Sequence, residues 1–171
     1  LVIDQRFYGT LIYATQILPT DSVMGEVIDT MATDGKRIYY NPSFVDTLTL
    51  GETKGVLCHE VMHIANAHHL RRGQRDHTRW NIACDYAINP LLLKGNIILP
   101  KDRLEDAKYD GMSAEEIYTR LEREEERQRS EAQAQQPSTS PAEGGAGRTL
   151  LLRLGSGAGW LLLGLGIIVP I

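Results

Sequence analysis

At 171 residues the chain is long enough for one domain with a real core and short for two. A net charge of -4, a pI near 5.7 and an aromatic content of 6% exclude a broad basic surface and a base-stacking platform, so nucleic acid is not an expected partner. The two cysteines, Cys58 and Cys84, both fall in apolar helical patterns, which argues against a disulfide framework and for a reducing, cytoplasmic setting.

The chain opens on Leu1, Val2, Ile3 and Asp4, without an initiator Met or a basic leader region, the pattern of a fragment or processed start. Val2, Ile3, Phe7, Leu11, Ile12 and Leu18 recur at mostly three-to-four spacing and predict an amphipathic helix to about residue 18, ended by Pro19. Residues 27–33 and 37–40 are rich in β-formers and flank Asp34-Gly35, which predicts a hairpin. Asn41-Pro42-Ser43 closes it and can start a short helical turn to about Leu48, with Ser43 as cap.

From Glu52 to about His69 an apolar periodic stretch predicts one helix, and Arg79 to Leu93 predicts a second, ended between about 89 and 94 by Pro90 and Gly95. Arg71, Arg72 and Arg75 between them read as a solvated turn. Ser113 with Glu116 has the spacing of a capping box, so a helix is expected to start there and project a charged far half through Arg129. Residues 1–129 are therefore expected to form the domain. Residues 130–148, rich in Ser, Gln, Pro and Gly, read as a disordered linker. Residues 149–171 form an apolar Gly/Leu tail, either an aberrant continuation or a membrane segment. Its 18 uncharged residues, 154–171, sit at the lower limit for a span, and five glycines and a proline weaken a helix there.

The chemistry concentrates at His59-Glu60-Val61-Met62-His63, a His-Glu-x-x-His pattern. At about 100° per residue, His59 and His63 stack on one helix face, where two neutral imidazoles can grip one metal ion with Glu60 beside them. The plainer alternative is a pair of packing histidines on an ordinary helix. A catalytic zinc usually takes three protein ligands and a water, so a third ligand is needed. His69 falls at the third histidine of a His-Glu-x-x-His-x-x-Gly-x-x-His pattern, but Asn66 stands at the turn glycine and the segment reads as continuing helix. His68, five residues after His63, projects about 140° away on such a helix and suits a supporting role. Asp85 is the stronger candidate. Asn81, Asp85 and Asn89 recur every four residues as a polar stripe on an apolar helix, and a lone buried carboxylate there is costly unless paired or bound to metal. Asn81 and Asn89 would then support the ligands.

The stretch Thr33-Asp34-Gly35, Tyr39-Tyr40-Asn41-Pro42, His59-Glu60-Val61-Met62-His63, His68, Arg72 and Trp80-Asn81-Ile82-Ala83-Cys84-Asp85 with Ile88-Asn89 resembles the bacterial putative metallopeptidase domain found in front of a VWA-like domain, across about residues 2–122. The resemblance implies an α+β, zincin-like fold, with the motif helix packed on a second, ligand-bearing helix as in gluzincins. It also implies a zinc peptidase acting on a peptide or protein substrate, and a partner system with a VWA-like domain and a MoxR-type AAA ATPase. The tail does not match a VWA-like domain. On this reading zinc sits on His59, His63 and Asp85, Glu60 is the general base, and Tyr39 and Tyr40 are packing residues. The rival reading is a catalytically silent zincin-like scaffold serving the ATPase system. Membrane association is expected only through 154–171.

Overall fold

The computed structural model describes residues 5–23, 26–134 and 167–168. It is mixed α+β and mostly helical, with a small sheet against which the motif helix packs.

Helix α1 (Gln5–Ala14) is shorter than its periodicity suggests. Residues that continue the helical spacing, Ile17 and Leu18, instead belong to strand β1 (Gln16–Pro19), which pairs in parallel with β5 (Arg37–Tyr40). Main-chain pairing with a preformed strand outweighs the weak amphipathic preference of these four residues. The Asp34-Gly35 hairpin forms as expected between β4 (Met31–Thr33) and β5, with Gly35 at a φ of 87°. Asp34 locks the turn, accepting from the backbone N–H groups of Lys36 and Arg37 and from the Tyr39 hydroxyl. Val27 leaves the expected first strand of that hairpin and joins Glu26 in β3 (Glu26–Val27), antiparallel to β2 (Ser22–Val23). Ile167–Ile168 (β6) run parallel to β4, giving the sheet order β1-β5-β4-β6.

The short helix α2 (Pro42–Val45) is capped by Asn41, two residues earlier than the Ser43 cap expected, with Pro42 at its first position. Helix α3 (Leu50–Ala65) begins at a capping box of Thr49 and Glu52. Gly55 has a specific task in it. A Cβ there would collide with the Ile98 carbonyl, so only glycine lets the 96–99 segment cross the helix at this point.

The expected run of helix to His69 does not form. Helix α3 stops at Asn66, Ala67 takes the left-handed conformation (φ 51°, ψ 37°), and a separate turn of helix, α4 (His68–Arg71), follows. The residue in the left-handed region is thus Ala67, and not the better suited Asn66.

Helix α5 (His77–Lys94) is capped by Asp76 and runs through Pro90 to Gly95. Helix α6 (Ala114–Ala134) starts at the Ser113–Glu116 capping box and packs along α5. Trp80, Ala83, Cys84, Tyr109, Ile117 and Tyr118 fill that interface. A buried side chain such as Ile117 contributes about 1.5–3 kcal/mol. The charged half of α6 is partly tied down by Arg79, which pairs with Glu122 and Glu125, and the first turn by Arg71, which pairs with Glu115 at 2.6 Å. Arg71 and Arg75 are consequently not a merely solvated turn, since Arg75 also stacks over Trp80 at 5.1 Å. Residues 130–134, assigned above to a linker, are helical; 135–148 lie outside the described residues. Apart from Ile167–Ile168, so does the apolar tail. Among the described residues no helix is long and apolar enough to cross a membrane.

The main core lies between α1, α3, α5 and the sheet, built on Tyr8, Ile38, Val56, Val61, Met62, Ile88 and Leu92. Packing α3 against α5 inside this core brings the two polar stripes face to face.

Candidate metal centre

His59 and His63 sit one turn apart on α3, and Asp85 projects from α5 toward both. His59 Nε2 lies 2.8 Å from His63 Nε2, and Asp85 Oδ1 lies 3.3 Å from each. The exposure of all three residues rounds to zero. Glu60, next to His59 in the chain, is equally buried, and both of its carboxylate oxygens lack a hydrogen-bond partner.

The donor set argues for a cation. Asn89 donates its amide Nδ2–H to the Leu104 carbonyl at 2.8 Å, which leaves Oδ1 to accept from His59 Nδ1–H at 2.9 Å. His59 Nε2 therefore presents a lone pair. His63 Nδ1 is 3.1 Å from His68 Nδ1. Burial, with the neighbouring His63 and Arg71, pushes His68 down to about 2, so it stays neutral and can accept from His63 Nδ1–H. That tautomer turns the second Nε2 lone pair toward the first. Two lone pairs and a carboxylate facing one another in a dry interior repel unless a proton or a metal cation lies among them.

The spacing also fits. Ligand atoms about 2.0–2.1 Å from a tetrahedral ion stand about 3.3 Å apart. The two imidazole-to-carboxylate separations match, and the imidazoles need to part by only about half an ångström to do so. His59, His63 and Asp85 are thus a group that could hold a metal ion.

Charge is distributed unevenly between the two carboxyls. Burial pushes Asp85 up, but His59 and His63 outweigh it and hold the group below the ordinary carboxylate range. Glu60 has no such partners, and burial together with the charge of Asp85 raises it well above that range. Burial lowers His63, and Asp85 only partly restores it. The pair therefore separates into one ionised carboxylate aimed at the histidines and one carboxyl of raised proton affinity.

A second group, His63, His68 and Cys84, also brings ligand atoms within 4.8 Å of one another. Burial and Asp85 hold the Cys84 thiol far above its ordinary value, so thiolate ligation is the less favoured of the two. Cys58 is likewise pushed up by burial, to about 11.

The other residues singled out from sequence fall as follows. His69 is not at the centre; its ring packs on Gly35 in the hairpin turn, because the break at Ala67 swings it toward the sheet. The same break corrects the expectation for His68. On a continuous helix it would point away, but on α4 it folds back onto His63, with its carbonyl fixed by Trp80 Nε1–H at 3.0 Å. Asn89 supports His59 as its place in the stripe suggested, whereas the Asn81 side-chain oxygen has no partner. Tyr39 is engaged with Asp34.

No curated protein and no solved structure matches the chain. The family described as a putative metallopeptidase domain matches residues 1–157, through the whole of the region that builds the centre and past the boundary expected at 129. A match of that extent, over a fold that closes two histidines and an aspartate on one point, places the chain in the putative metallopeptidase domain family.

Proposed function

We propose that the chain is a zinc-dependent peptidase with a zincin-like, gluzincin-type arrangement, hydrolysing peptide bonds in a peptide or protein substrate. The observation that carries this reading is the closure of His59 Nε2, His63 Nε2 and Asp85 Oδ1 on one point beside a buried carboxyl, Glu60, that has no other partner. When bound, zinc supplies Lewis-acid polarisation of a carbonyl and lowers the pKa of a coordinated water to about 7. His59, His63 and Asp85 would hold the ion. Glu60, kept out of bulk water with its proton affinity raised, takes a proton from the attacking water and delivers it to the leaving amine. Asn89 and His68 keep the two imidazoles in the tautomer and orientation that ligation needs.

The test is Glu60→Gln in the full chain, assayed on a mixed peptide pool with metal content measured in parallel. Expected is unchanged metal content with cleavage reduced about 10²–10⁴-fold, the usual contribution of a general base. Wild-type cleavage in the variant removes Glu60 from the mechanism.

One observation favours a second reading. The four central side chains have essentially no exposure, so a substrate needs an opening that the described residues do not present. A catalytically silent metal-bearing scaffold, acting with a MoxR-type AAA ATPase system, needs none. Zinc-loaded protein that cleaves no peptide in the pool supports that alternative.

A further inference from the structure

The group of His63, His68 and Cys84 differs from the metal centre in kind as well as in place. His63 turns Nε2 to His59 and Asp85, but its Nδ1 faces the other way, 3.1 Å from His68 Nδ1. Cys84, one residue before Asp85 on α5, completes a set whose ligand atoms lie within 4.8 Å of one another. Bonds of about 2.0 Å to nitrogen and about 2.3 Å to sulfur place three ligands around one ion about 3.5–3.8 Å apart, so side-chain shifts of about 1 Å close the set. All three residues are buried.

His68 has a way to solvent. It lines a cavity of about 160 Å³ between α4, α5 and residues 112–114. Met112 lines the same cavity and carries a thioether, a soft donor, while Arg71 in its wall is taken by Glu115. No carboxylate among the described residues lines it. The donors from the cavity inward are thus a thioether, an imidazole, a thiol and a second imidazole, a series that selects for soft ions. Charge narrows the class further. An ion that replaces the single thiol proton leaves the charge of the dry interior unchanged only if it is monovalent. The carboxylate that would offset a second charge, Asp85, faces the other group.

We propose that His63 Nδ1, His68 and Cys84 form a second metal site, for a soft monovalent ion of the copper(I) class, reached through this cavity. On binding, the metal–sulfur bond forms as the S–H bond breaks, the proton leaves to solvent, and no oxidation state changes. The His63 imidazole proton then lies on Nε2, with Asp85 Oδ1 3.3 Å away to accept it. The site therefore fills in the zinc-free chain, and it depends neither on zinc at the first centre nor on peptidase activity.

Anaerobic titration of the zinc-free full-length chain with copper(I), against a colorimetric copper(I) chelator, tests this. About one equivalent is expected to be held, and X-ray absorption of that complex is expected to show sulfur and imidazole nitrogen together on the copper. Cys84→Ser and His68→Ala are each expected to lose the equivalent. Cys58→Ser, which removes the other thiol, and His59→Ala, which removes a ligand of the first centre alone, are expected to keep it. The absorption spectrum needs no substitution, so a variant that fails to fold does not decide the outcome. The proposal is overturned if the wild-type chain holds no copper(I), if sulfur or imidazole is missing from the copper shell, if Cys84→Ser or His68→Ala binds as wild type does, or if Cys58→Ser or His59→Ala loses the ion. Failure of zinc retention or of peptide cleavage with copper(I) binding intact counts against the first centre alone.

Discussion

Replacing Asn89 with alanine separates a metal-centre support from an ordinary buried amide. Asn89 is fully buried and makes two hydrogen bonds, from His59 Nδ1 at 2.9 Å and to the Leu104 carbonyl at 2.8 Å. Truncation leaves an imidazole N–H and a carbonyl oxygen in a dry interior. Each unpaired group costs about 1–3 kcal/mol, so the metal-free protein is expected to lose about 2–6 kcal/mol of stability, read by urea denaturation. The same change frees the His59 ring to adopt the other tautomer. Metal affinity is therefore expected to fall about 10–100-fold, the usual effect of losing such a support. Competition with a chelator of known affinity measures it. Asn89→Asp keeps the acceptor for His59 but loses the donor to Leu104, so it is expected to recover metal affinity more than stability. A stable Asn89→Ala protein with wild-type metal affinity refutes the reasoning, because both partners would then be satisfied some other way.

Two further perturbations act on the scaffold. Gly55→Ala gains about 1 kcal/mol of helix propensity but drives a methyl group into the Ile98 carbonyl, so a net loss of about 1–3 kcal/mol is expected on thermal or urea unfolding. Asp34 tests pH dependence. Burial raises it, but the N–H groups of Lys36 and Arg37 and the Tyr39 hydroxyl outweigh this and hold it below the ordinary carboxylate value. Its folded-state pKa is depressed, so its contribution is present above the unfolded value of about 3.9 and is lost as pH falls through the folded value. Asp34→Asn is accordingly expected to be less stable than wild type at pH 7, with the gap closing toward pH 3 in matched urea titrations.

Which parts of this architecture can be read from residues follows from the range of the forces involved. Local signals survive. The Asp34-Gly35 turn, the Ser113–Glu116 box and the four-residue recurrence of Asn81, Asp85 and Asn89 are each settled within a few residues, and each appears where expected. The Thr49–Glu52 box was equally present in the sequence and marks the true start of α3. Features decided by distant partners do not show. Ile17 and Leu18 carry helical spacing, yet a parallel strand 21 residues away claims them. The break at Ala67 has no local signal at all, since alanine seldom adopts a left-handed conformation and nothing in Ile64-Ala65-Asn66-Ala67 opposes a helix. That single residue decides the roles of two histidines, sending His69 to the hairpin and His68 to His63. The Asp85 assignment rests on firmer ground in the sequence, because a carboxylate centred in an apolar helical face requires compensation wherever the helix packs.

The central claim is that His59, His63 and Asp85 together hold one divalent ion, and metal content measured by elemental analysis tests it most directly. Wild-type chain equilibrated with zinc and freed of excess is expected to retain about one equivalent, and Asp85→Ala, His59→Ala and His63→Ala each to lose it, while His69→Ala keeps it. Retention of full zinc by Asp85→Ala, with loss in His69→Ala or Cys84→Ala, would contradict the account and move the ion elsewhere.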